Sequence, residues 1–292
     1  MPPVDVFFGS WTFDPWAAGV ILAAGTLFGV GVVRAGRAGV SWPRWRIVCF
    51  SLLGLGFFGF VSFGFLGSSA GQLRWAFSIR LAMLLFIVPI LLSLGKPLSL
   101  LRAATHSTSV RRRLASVGRW PMRFFSNAVV APLVGLLLFS ALLTPLAGVA
   151  RLTPVIEGLL TVGVPLLGLL LILPLTESGR RTTTSLLLLE FVFAFIELLA
   201  DAIPGMALRL NGSVLDGAGI LSGPHAPWFP SPLLDQQLAG DWLWFICEAA
   251  DLPILILLFV RFSRTDRGER DVLDEMTDEQ MDALNAAHLG RY

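Results

Sequence analysis

The sequence is poor in charge: only 14% of its 292 residues are Asp, Glu, Lys or Arg, while 55% are hydrophobic. A soluble globular domain carries about 25% charged residues, so an ordinary water-soluble enzyme is excluded before any motif is sought. Cysteine is scarce too. Two residues, Cys49 and Cys247, exclude a disulfide framework and a thiolate metal cluster. The only lysine, Lys96, lies outside every long apolar run, which rules out a retinal-type Schiff base within a span. The single tyrosine, Tyr292, leaves nine tryptophans and 22 phenylalanines to supply aromatic side chains at the membrane interfaces. The chain shows no His-Glu-x-x-His, no Gly-x-Ser-x-Gly and no phosphate loop, so no enzymatic activity is expected. A nucleic-acid partner is not expected either.

What is present is apolar length. A membrane-crossing helix needs about 20 apolar residues. Seven runs qualify, near Trp16–Val33, Ile47–Leu66, Trp75–Leu94, Val129–Leu146, Val155–Leu173, Ser185–Leu208 and Trp242–Val260. They predict an all-α integral membrane protein, a seven-transmembrane-helix bundle occupying residues 1–262, followed by a polar tail over 263–292. The start, MPPVDVFF, lacks the basic n-region of a secretory signal, so the first run reads as a retained helix. Eighteen basic residues fall on alternate connections and in the tail, from Arg34 through Lys96 and the Arg111–Arg113 run to Arg291. The other side holds only Arg74, Arg151 and Arg209. By the positive-inside rule the N-terminus is outside and the C-terminus cytoplasmic. The basic loop after Lys96 either anchors the topology or lies as a basic amphipathic helix on membrane lipids of the inner leaflet, and the Gly- and Pro-rich loop from Arg209 to Gly240 is long enough for a lid or a docking surface.

Charges inside spans are costly and mark a pathway, a pairing or a site. Glu190, Glu197 and Asp201 share one face of the sixth span, since seven- and four-residue spacings return near the same azimuth. On the seventh, Asp241 and Glu248 share a face, and Asp251 sits about a quarter turn round beside Pro253. Arg80 lies roughly 9 Å below the outer end of the third span, the depth of Asp201 and Glu248, so either acid is a feasible partner. One arginine cannot neutralise every acid. The expected intramembrane polar network, Arg80, Glu190, Glu197, Asp201, Glu248 and Asp251, either fixes helix packing or forms a proton or cation route.

The order of several short blocks completes the reading: Trp11-Thr-Phe-Asp-Pro-Trp16 before the first span, Leu94-Gly-Lys-Pro-Leu98 after the third, and Ser231-Pro-Leu-Leu-Asp-Gln-Gln-Leu-Ala-Gly-Asp-Trp-Leu-Trp244 leading into the last. Together they resemble the CtaG-type cytochrome c oxidase assembly proteins of bacteria, nearly throughout the chain. The resemblance implies a multi-pass protein of the bacterial plasma membrane that assists copper-dependent assembly of a haem–copper oxidase. Its implied partners are oxidase subunits or assembly intermediates, and Asp235, Gln236, Gln237, Gly240 and Trp244 are its signature, expected to shape a docking surface. It also implies two histidines four apart on the third span, and those positions are Phe77 and Leu81 here, with Arg80 between them. The family's further histidine has no counterpart near Glu157. His106, His225 and His288 all lie outside the spans. No metal or other cofactor is therefore expected, and the function implied is assembly by protein–protein contact. The alternative is a proton- or cation-coupled permease using the acids of spans six and seven.

Overall fold

The computed structural model describes residues 2–105, 124, 130–177, 184–216 and 226–274, and among them the regular structure is helical throughout. Helices follow from the solvent: lipid offers no hydrogen bonds, so each backbone N–H and C=O must be satisfied within its own segment. The elements are α1 (Val4–Gly9), α2 (Pro15–Arg37), α3 (Arg44–Ser69), α4 (Arg74–Ser93), α5 (Pro97–Ala104), α6 (Val130–Ser140), α7 (Leu146–Leu152), α8 (Pro154–Glu177), α9 (Thr184–Leu210) and α10 (Pro232–Asp274). Among the described residues, α2, α3, α4, Pro154–Pro174 of α8 and Pro232–Arg267 of α10 are long and apolar enough to cross a membrane. The pair α6 and α7 makes a sixth if counted as one bent span. The chain is thus a multi-pass helical membrane protein.

Helix α4 is the axis of the bundle. Its apolar window is 78% buried, against 11% for α2, and it packs on α3, α8 and α10. Sequence features explain how the others come close to it. Pro89 has no N–H to offer the Leu85 carbonyl one turn back, and the preceding residues Met83–Ile87 widen into a π-helical turn. That carbonyl lies against Gly168 of α8, where any Cβ would collide with it. Helices α9 and α10 cross where Gly205 meets Gly240, and a Cβ on Gly205 would stand 2.9 Å from the Gly240 carbonyl oxygen.

The fourth predicted span, Val129–Leu146, is not one straight helix. A 3₁₀ turn at Ala141–Leu143 ends α6, and α7 leaves at 85°. Local chemistry accounts for the break. Pro145 lacks an N–H, and the Thr144 hydroxyl donates to the Ala141 carbonyl at 2.8 Å while accepting from the Leu146 amide at 3.3 Å. The second half carries Arg151 into the protein, where it is 5% exposed, rather than leaving it on a loop. The last helix also outruns its predicted limit near Val260, remaining continuous to Asp274.

Candidate functional site

Helix α4 begins at Arg74 after Leu73, an N-cap that has no side-chain acceptor for the orphan amides. Asp235 supplies one from α10. Its carboxylate accepts from the Arg74 amide at 2.9 Å and the Trp75 amide at 3.1 Å, a cap delivered across the bundle. The Arg74 guanidinium reaches back to Asp235 at 3.5 Å and to Asp216 at 2.8 Å. Asp216 is shared, since its other oxygen accepts from Arg151 at 2.7 Å, and Arg151 also donates to the Gly71 carbonyl at 3.3 Å. Two arginines and two aspartates therefore form a charge-balanced cluster at the junction of α4, α7, the stretch just after α9 and α10.

Gln236 extends the cluster. Its side-chain oxygen accepts from the Leu215 amide at 2.8 Å, and its nitrogen donates to the Ser213 carbonyl at 3.0 Å and the Leu208 carbonyl at 3.4 Å. Asp235 and Gln236 are 3% and 1% exposed. Both were expected on a docking surface and are instead turned inward, because the start of α4 and the stretch just after α9 need their acceptors and donors. Gly240 is buried at the helix crossing, Gln237 is half-buried, and Trp244 is exposed.

Arg80 sits 3% exposed on α4. Among the described residues its ion-pair partners do not include Glu248, and the Asp201 side chain lies outside the described residues. Arg80 bonds Asp14 at 3.2 Å, Thr161 at 2.9 Å and the Glu157 carboxylate. Asp14 has a second task as N-cap of α2, accepting from the Trp16 and Ala17 amides at 2.8 and 3.2 Å. One guanidinium thus ties α2, α4 and α8 together. The signal was available: Asp14 before Pro15 is a helix-start pattern, and Glu157 lies in the first turn of a span at a depth Arg80 can reach. Phe77, Leu81, Leu84 and Leu160 line a small crevice with Arg80 and Glu157, so the two positions at which the resemblance implies histidines present hydrocarbon beside a guanidinium. Among the described residues no group of three or more His, Cys, Asp or Glu side chains is placed to hold a metal ion.

A third cap lies at the opposite end of the bundle. Glu177, the last residue of α8, accepts from the Leu98 and Ser99 amides at 3.2 and 2.6 Å and from the Ser99 hydroxyl at 2.7 Å. It pins the start of α5, which Lys96 enters in a left-handed conformation, φ 53°. The glycine before it and Pro97 after it make the Leu94–Leu98 block a turn with a capped exit.

The remaining acids separate by direction. Asp251 is buried, 4% exposed, whereas Glu248 accepts a hydrogen bond from the indole of Trp244 on the outer surface of α10, and Asp241 pairs there with Arg209 at 3.1 Å. Glu190, Glu197 and Asp201 follow one another along α9, and their side chains fall outside the described residues, as do His106, His225 and His288.

Comparison with known proteins agrees with the motif reading. The chain is 24% identical over 310 residues to an uncharacterized protein of Mycobacterium leprae, ML1998, aligning 98% of itself with 45% of that protein. It is 26% identical over 302 residues to uncharacterized proteins of Mycobacterium bovis and Mycobacterium tuberculosis, Mb0105 and MT0111, aligning 94% of itself with 43% of each. The chain therefore spans less than half the length of the curated relatives it matches. No solved structure matches it. Residues 26–265 match the cytochrome c oxidase caa3 assembly factor family, Caa3_CtaG, a stretch that holds α4, Arg80, Glu157 and the whole Asp235 cluster, and the chain belongs to that family.

Proposed function

We propose that the protein is a membrane accessory factor for assembly of a haem–copper cytochrome c oxidase, acting by contact with oxidase subunits or assembly intermediates in the bacterial plasma membrane. The observation that carries this reading is the family match over residues 26–265. The topology proposed with it has seven spans, α6 and α7 counting as one and α9 as another, an outer N-terminus and a cytoplasmic C-terminus. The distribution of arginine supports it, as does the 27-residue length of α9, about 40 Å at 1.5 Å per residue.

Contact rather than metal transfer is favoured by the chemistry around Arg80. Copper prefers imidazole, thiolate or thioether donors. The crevice between α4 and α8 offers Phe77, Leu81, Leu84 and Leu160, and its carboxylate, Glu157, is already bonded to a guanidinium. A copper ion placed there would meet a fixed positive charge and hydrocarbon, so these residues do not fit it. The assembly role is tested by deleting the gene and measuring a-type haem absorbance and copper per oxidase in isolated membranes. Both are expected to fall and to be restored by the intact chain; an oxidase of normal haem and copper content overturns the reading. Metal analysis of the purified protein tests the second part, which stoichiometric bound copper would overturn.

A further inference from the structure

Helix α10 has a clear inner face, formed by Leu243, Ile246, Cys247, Ala250, Asp251 and Leu258, each below 5% exposed or nearly so. At 100° per residue Glu248 falls about 60° round from Asp251, on the flank of the helix, and it is half-buried. It borders the outward face, which carries Asp241, 45% exposed at its side chain, and Phe245, Leu252, Ile256 and Phe259, which are 63%, 57%, 56% and 57% exposed. The carboxylate is also deep. A hydrocarbon core of about 30 Å measured from Arg261, the first cation past the apolar stretch, ends near Asp241 and puts Glu248 roughly 10 Å below the outer surface.

A carboxylate at the edge of a hydrocarbon-facing surface is expensive, and such groups normally face a bundle interior or a partner. Glu248 has the indole N–H of Trp244 as its hydrogen-bond donor. Among the described residues no arginine or lysine forms an ion pair with it, Arg209 being engaged by Asp241 at the outer rim. A zwitterionic lipid carries its cation in the headgroup layer, too shallow to meet this group. A second copy of the chain brought against the same face would place two carboxylates on one seam, which like-charge repulsion opposes.

We infer that the outward face of α10 around Phe245, Glu248 and Leu252 is a docking face for a transmembrane helix of a partner protein. That helix carries an arginine, lysine or histidine about one and a half to two turns below the outer surface, roughly 10 Å deep. The inference rests on the contact mechanism proposed above and names the chemistry of the partner. It assigns Trp244 a task as well: its indole orients the carboxylate, and its ring, with Phe245, makes an apolar shoulder for the incoming helix.

The test places photoreactive p-benzoylphenylalanine at Phe245 in the full chain in native membranes, with the same group at Leu27, a 74% exposed position on α2, as control. The expected result is a Phe245-specific adduct whose peptide maps to a transmembrane helix with a basic residue at matching depth. Its yield should fall about tenfold in E248K and about threefold in the isosteric E248Q at equal membrane levels, as for loss of one intramembrane polar contact. Lipid adducts alone, equal at the two positions, overturn the docking face. So does an adduct to a second copy, or a yield that E248Q and E248K leave unchanged. An adduct to a membrane protein unconnected with the oxidase keeps the docking face and overturns the assembly reading, whereas lost oxidase in the deletion strain with lipid adducts alone overturns the docking face only.

Discussion

Replacing Asp235 removes two different things at once, and they can be separated. The first is the cap on α4, two amide hydrogen bonds at 2.9 and 3.1 Å, worth about 1 kcal/mol in a typical N-cap substitution. The second is charge. In D235A the buried cluster falls from two arginines with two aspartates to two arginines with Asp216 alone, losing a charge-assisted interaction of about 1.5–3 kcal/mol. The expected total is about 2.5–4 kcal/mol, while D235N, which keeps one oxygen for an amide, costs about 2. The two parts separate in a double-mutant cycle with R74M, because the backbone amide survives the substitution and the guanidinium does not. In the R74M background D235A should cost about 1 kcal/mol, the cap alone, so a coupling of about 2 kcal/mol is expected. The assay is equilibrium unfolding of the full chain in mixed detergent, read by tryptophan fluorescence and by a steric trap on α10. A coupling below about 0.5 kcal/mol would refute the shared-charge account, and equal costs for D235A and D235N would refute the separate cap.

The Arg80 clamp makes a different prediction. R80M leaves Asp14 and Glu157 without their shared cation and is expected to cost about 3 kcal/mol in the same assay, whereas the triple variant R80M/D14N/E157Q should recover to within about 1 kcal/mol of the native protein; a triple variant no more stable than R80M would show that ion pairing is not what joins α2, α4 and α8. At the crossing of α9 and α10, G240A forces a Cβ into the Gly205 carbonyl and should lower stability by about 1–3 kcal/mol. Thermal unfolding in nanodiscs checks this, and no loss would mean the helices do not cross there. Removing the cap at the other end, E177Q is expected to speed hydrogen exchange at the Leu98 and Ser99 amides about fivefold while leaving the Trp75 amide unchanged, as befits a loss of about 1 kcal/mol confined to one cap.

Much of this architecture is readable in one dimension because lipid imposes it there. Apolar runs become helices wherever the backbone has no water to bond, and residues that bound those runs punctuate the fold: Pro15 opens α2, Pro97 opens α5, and Pro154 opens α8. The fourth span is where the one-dimensional pattern ends. Leucine-rich sequence on both sides of Thr144-Pro145 reads as one helix, and how sharply a proline bends a span depends on what the second half can bind. Here Arg151 finds Asp216, a residue 65 positions away, and the chain turns by 85°.

The charged residues divide in the same way. That Arg80, Asp235, Gln236, Glu248 and Asp251 stand out is legible in the sequence alone, since their types are costly at those depths and two of them stand in the family block. Which way each one faces does not follow. Asp235 and Gln236 are consumed by internal amides and carbonyls, Arg80 bonds acids on α2 and α8 and not Glu248 on α10, and Glu248 is half-buried on the flank of its helix while Asp251, three residues on, is buried. Depth along a span is a linear quantity that counting residues supplies. The azimuth of one helix against another is set by how glycines such as Gly168, Gly205 and Gly240 let backbones touch, and that is decided only when the helices pack.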